Sequence, residues 1–183
     1  MSLLSKVKEP DAQGRIQHVT PESAGWRYVG FDAYQLKKGQ TLRLESGSKE
    51  LCLVLVAGLA SVKTRLAEFP HIGKRMSPFE RTPPYSVYVP GNEQVEVVAE
   101  SDLELAVCSA PATGGKLPAR LIAPADVGVE QRGKGNNKRL VHNILPDDKP
   151  ADSLLVVEVY TDEGNTSSYL SHKHDQEDSP DET

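Results

Sequence analysis

Two histidines stand one residue apart in the chain, His172 and His174, within the stretch SHKHD. In extended backbone, residues i and i+2 project to the same face, so both imidazoles can reach one ion. Imidazole suits zinc, iron and related divalent metals, but two ligands do not complete a site. Acidic candidates follow closely at Asp175, Glu177, Asp178, Asp181 and Glu182, and no pattern selects among them. A chance His-x-His in a polar tail therefore stays open at this point.

A second group with chemical potential is RGKGNNKR, residues 132–139. Arg132, Lys134, Lys138 and Arg139 place four positive charges around two glycines, a pattern that suits a hairpin facing an anionic small molecule. Arginine adds bidentate geometry toward a carboxylate. A solvated turn is the alternative reading. The segment has no aromatic neighbours and no wide basic field, as nucleic-acid binding would require. It also lacks the G-x-x-x-x-G-K-[ST] spacing of a phosphate loop. His142, in the strand-like VHNIL that follows, reads as a structural histidine rather than a ligand. No G-x-S-x-G elbow marks a serine nucleophile. Glu45 and Glu50 bracket a turn and read as a charged loop.

The cysteines, Cys52 and Cys108, are too few for a disulfide framework or a thiolate zinc site. Each lies in an apolar stretch, LCLVLV and LELAVCSA, and reads as a small buried hydrophobe. A bridge between them stays open, since strands distant in sequence can pair.

The 183 residues carry 21 Lys+Arg against 26 Asp+Glu, a net charge of -5 that argues against nucleic acid as partner. No apolar run approaches the roughly 20 residues of a membrane span. The opening MSLLSKVKEP lacks the apolar core of a secretory signal. A soluble, cytoplasmic protein with no membrane partner is the expectation.

The elements that must position these residues are strands. Short β-type runs recur between turn residues: WRYVGFDAYQL, TLRLES, LCLVLVAG, ASVKTR, YSVYV, QVEVVAE, LELAVCSA, ARLIA, VGVEQ, KRLVHNIL and LLVVEVY. The 14 glycines and 13 prolines fall mostly between them. Such spacing without long helices predicts an all-β sandwich or barrel. LCLVLV is apolar at every position, as in a strand covered on both faces. QVEVVAE alternates, with Val95, Val97 and Ala99 on one side. The proline-rich stretch from Leu66 to Pro84 is long for a connector, so it reads as a packed functional or interface loop, with a surface excursion as the alternative. Residues 162–183 lose apolar content and are expected to be disordered.

The combination RGKGNNKRLVHNILP, followed after a strand by SSYLSHKHD, closely resembles the 5-deoxy-glucuronate isomerase family of myo-inositol catabolism, relatives of 5-keto-4-deoxyuronate isomerase. IGKRMSPFE before PPYSVYVPGN is similar to the same family. The resemblance runs from Trp26 to Asp175 and implies a bicupin built of jelly-roll β-barrels. It implies an N-terminal metal-free cupin over residues 1–118, and the opening strands of a metal-binding cupin over 119–183 that is incomplete here. His172 and His174 match the opening pair of the metal motif. The family's ligand Glu and third His are expected beyond Thr183, so the chain reads as truncated and inactive by itself.

The resemblance further implies an aldose–ketose isomerase that converts 5-deoxy-D-glucuronate to 5-dehydro-2-deoxy-D-gluconate. Its cofactor would be a divalent ion (zinc, iron or manganese) that stabilises an enediol intermediate. The partners it implies are a small sugar acid and, in oligomers, further copies of the chain. Rival readings are a cupin that binds a sugar acid without turnover, and a barrel whose task is assembly.

Overall fold

The computed structural model describes residues 5–6, 8–114 and 117–167. Among them, strands dominate. The first nine are β1 (Arg15–Val19), β2 (Gly30–Leu36), β3 (Thr41–Glu45), β4 (Lys49–Ala57), β5 (Ala60–Thr64), β6 (Glu68–Ile72), β7 (Ser86–Val89), β8 (Gln94–Ala99) and β9 (Leu103–Pro111). They are followed by β10 (Arg120–Ile122), β11 (Gly128–Arg132), β12 (Arg139–Leu145) and β13 (Val156–Tyr160). One helical turn, α1 (Pro21–Ala24), lies between β1 and β2.

The strands from β2 to β9 fold as one long double ribbon. β5 pairs with β6, β4 with β7, β3 with β8 and β2 with β9, all antiparallel. The rolled ribbon gives two facing sheets, one ordered β1-β2-β9-β4-β7-β10 and the other β3-β8-β5-β6. This is the strand order of a jelly roll. Between the sheets lies an apolar core that includes Leu36, Leu42, Leu53, Leu55, Val62, Val87, Val97 and Leu105. The alternation in β8 holds: Val95, Val97 and Ala99 face this core.

The reason LCLVLV is apolar throughout lies on the other side of the first sheet. Leu51, Leu53 and Leu55 point into the jelly roll, while Cys52 and Val54 point outward. There they join Tyr88, Ala106, Ala110, Ile144, Leu145, Leu154 and Val156 in a second buried cluster. Ile144, Leu145 and Val156 belong to a third sheet, ordered β11-β12-β13, which lies over the jelly roll. The chain reaches it by way of β10, which extends the first sheet beside β7.

Two strands escape the sequence pattern. β1 buries only Ile16, because it is an edge strand with one covered residue. β6 contains Pro70, which cannot donate a ladder hydrogen bond, and it is tolerated because β6 also lies at an edge. The expected strand from Trp26 begins only at Gly30. Thr20 caps α1 at one end and left-handed Gly25 (φ 68°) closes it at the other, so residues 26–29 serve to turn the chain into β2.

Candidate functional site

Residues 168–183 lie outside the described region, so the metal-ligand candidates His172 and His174 and the disorder expected for most of this tail do too. The described residues hold no group of three or more His, Cys, Asp or Glu side chains that could bind a metal ion. The functional geometry on view is therefore the basic hairpin and the seam between the jelly roll and the third sheet.

The hairpin joins β11 to β12. Arg132 and Arg139 close it as direct cross-strand partners. Arg132 is held by Glu130, with Nε donating to Oε1 at 2.7 Å, and donates through Nη2 to Asn143 Oδ1 at 3.0 Å. Arg139 donates to the backbone oxygen of Asn137 at 3.0 Å and also to its side-chain oxygen. Lys134 and Lys138 flank a short 3-10 turn (Gly135–Asn137) and are exposed. Gly133 is required here: its φ is +80°, and an added Cβ would lie 2.0 Å from the Asn137 oxygen. Asn165 and Thr166 clasp the turn, through Asn165 Nδ2 to Lys138 O at 3.0 Å and Thr166 N to Asn136 O at 2.7 Å. The four basic residues thus share one hairpin, with both arginines already engaged within it.

At the seam, Arg75 is 2% exposed and makes a two-pronged ion pair with Glu158 of β13, at 2.8 Å and 2.5 Å. Its remaining donors reach Val56 O, Thr82 O and Tyr160 Oη. Glu158 also accepts from Tyr160 Oη and from His142 Nδ1, each at 2.9 Å. Burial pushes the Glu158 carboxyl up, but the Arg75 guanidinium, with the bonds from His142 and Tyr160, holds the group below the ordinary glutamate range. Burial, aided by the bond to Glu158, raises the Tyr160 phenol to about 12. The stretch from Leu66 to Pro84 is not all loop, since residues 68–72 form β6 beside β5; the part that follows delivers Arg75 to the third sheet.

His142 is fully buried, as a structural histidine should be, yet only half satisfied. Nδ1–H donates to the Glu158 carboxylate, and Nε2 has no hydrogen-bond partner among the described residues. Its ring packs edge-on against Tyr160. Within the cluster the Arg75 and Glu158 charges oppose each other and join the jelly roll to the third sheet.

The reading of Glu50 as a loop charge is corrected. It lies inside β4, fully buried, on the outward face with Cys52. Oε2 accepts from Tyr88 Oη at 2.7 Å and Asp152 N at 2.8 Å; Oε1 accepts from Ser153 N at 2.6 Å and Leu154 N at 2.5 Å. Burial raises this carboxyl, but the combined donors bring it below its ordinary value. Arg120 stacks over the Tyr88 ring at 4.3 Å. No spacing in the sequence announces this nest, since three of its donors are backbone amides more than a hundred residues away and the fourth is the Tyr88 hydroxyl on another strand. Arg75 is equally invisible there, as one cation in a proline-rich stretch.

By strand order the fold is of the cupin class of all-β proteins. The match to the KduI/IolB family covers residues 3–183, and the chain belongs to that family. A relative from Geobacillus thermodenitrificans (strain NG80-2) named 5-deoxy-glucuronate isomerase is 60% identical over 174 residues, 95% of this chain and 63% of the relative. One of the same name from Halalkalibacterium halodurans is 46% identical, over 92% of this chain and 62% of that one. The crystal structure of an iolb-like protein from Salmonella typhimurium LT2 superposes with a TM-score of 0.89 at 61% identity, covering 96% of this chain and 66% of that one. The chain thus spans less than two thirds of the length of these relatives.

Proposed function

We propose that the full-length protein is an aldose–ketose isomerase converting 5-deoxy-D-glucuronate to 5-dehydro-2-deoxy-D-gluconate, acting in the cytoplasm. The observation that carries this reading is 60% identity, across nearly the whole chain, to a relative named for that reaction. The reaction moves a proton between neighbouring carbons and develops an oxyanion on the way, so it needs a proton shuttle and a fixed positive charge. The described residues contain no set of His, Cys, Asp and Glu side chains fitted to a metal. His172 and His174 would hold a divalent ion, which would supply that fixed positive charge.

The described region has a supporting role in this reading. Apolar side chains fill the jelly-roll interior, which favours a scaffold over a second reaction chamber. The basic hairpin is the proposed contact for the substrate carboxylate. Asn165 and Thr166 hold the turn of this hairpin in place.

The test is isomerisation of 5-deoxy-D-glucuronate by the full-length protein, followed as ketose formation. His172→Ala and His174→Ala are compared with the wild type for both activity and bound divalent metal. Loss of both properties in each variant is expected. A fully active, metal-stripped protein lacking both imidazoles would overturn the metal part, and an inactive but folded full-length wild type would overturn the isomerase reading.

A further inference from the structure

The two cysteines are free thiols on adjacent strands of the first sheet. Cys52 of β4 and Cys108 of β9 are register partners in an antiparallel pair, flanked by Leu51–Ser109 and Leu53–Val107. Directly opposed residues share a face and hold their Cα atoms about 4.5–5.5 Å apart, inside the window for a disulfide. Both side chains lie on the outward face, at the cluster under the third sheet. They differ in access: Cys52 is fully buried, while Cys108 is partly exposed beside Phe31, its partner on β2.

We propose that Cys52 and Cys108 form a reversible intramolecular disulfide when the protein meets a small-molecule disulfide oxidant such as glutathione disulfide. The difference in access sets the order of events. Cys108 loses its proton to water and attacks one sulfur of the oxidant; that S–S bond breaks and one glutathione thiolate leaves. Cys52 attacks the Cys108 sulfur of the mixed disulfide and expels the second glutathione, whose departing sulfur takes up the Cys52 proton. Two cysteine thiols are thereby oxidised to one disulfide, and one glutathione disulfide is reduced to two thiols. Burial raises both thiols, Cys108 to about 11, so exchange is slow at neutral pH and accelerates as pH rises. The pair adjoins the Glu50 nest, since Glu50 and Cys52 sit two residues apart on one face of β4.

The folded chain is incubated with glutathione disulfide at mildly alkaline pH, blocked with N-ethylmaleimide and weighed by mass spectrometry. The expected product is lighter than the reduced protein by two hydrogen atoms, takes up no maleimide, yields a peptide linking Cys52 to Cys108 and reverts with dithiothreitol. In Cys52→Ala, where the resolving thiol is gone, the glutathione adduct of Cys108 accumulates instead. The proposal is overturned if the wild type also stops at that adduct. It is equally overturned if both thiols stay open to maleimide after unfolding, under oxidant conditions that cross-link the denatured chain.

Discussion

Replacing Glu50 with Gln tests how strongly the seam depends on one buried carboxylate. The side chain keeps its shape, but one acceptor oxygen becomes an NH2 donor. If that donor takes the Oε1 position, it opposes the amides of Ser153 and Leu154, and two N–H groups, the Leu154 one buried, lose their partner. If it takes the Oε2 position, Tyr88 can rotate its hydroxyl to accept, and only the Asp152 amide is stranded. The second arrangement wins. Its cost is one unsatisfied amide plus the charge assistance lost from the remaining bonds, about 3 kcal/mol together. Urea unfolding of the 183-residue chain reads this as a lower midpoint at unchanged slope. Hydrogen exchange at Asp152–Leu154 should accelerate in step. A loss below about 0.5 kcal/mol would refute the argument, because a stranded half-buried donor and the lost charge assistance together cost more than that.

Further outcomes follow from the same seam. Arg75→Met strands Glu158 without its cation and should cost about 3–5 kcal/mol; a cycle with Glu158→Gln, read by urea unfolding, should recover part of that loss. His142→Phe removes one bond to Glu158 but also the unpartnered Nε2, so its cost should stay near 1 kcal/mol in the same assay. Glu50 and Glu158 both ionise below the ordinary glutamate value of 4.5, so their stabilisation is complete above that pH and is lost as pH falls through their lowered values. Unfolding measured against pH should show this acid limb, and Glu50→Gln should flatten it. Gly133→Ala should loosen the basic hairpin, seen as faster amide exchange in residues 133–138.

Much of the fold was legible because it depends on period. The alternation in β8 and the unbroken apolar run of β4 announced their one-sided and two-sided burial, and the turn residues marked the breaks between strands. β6 was illegible because Pro70 argues against a strand unless the strand is known to lie at an edge. The basic hairpin was visible as a local run of charge. The engagement of Arg132 with Glu130 and Asn143 was not, since it depends on which residues β11 and β12 place side by side.

The sequence by itself determined the all-β class, the positions of most strands and the kinship with the KduI/IolB family, because strand periodicity and specific motifs are local properties of a chain. Only the tertiary structure decided what Glu50, Arg75 and the two cysteines are for. A carboxylate becomes an anchor, and a thiol becomes half of a pair, through neighbours that arrive from distant segments. Rolling the ribbon into a jelly roll brings β4 beside β9, and seating the third sheet sets Glu158 against Arg75 and the amides of Asp152–Leu154 against Glu50.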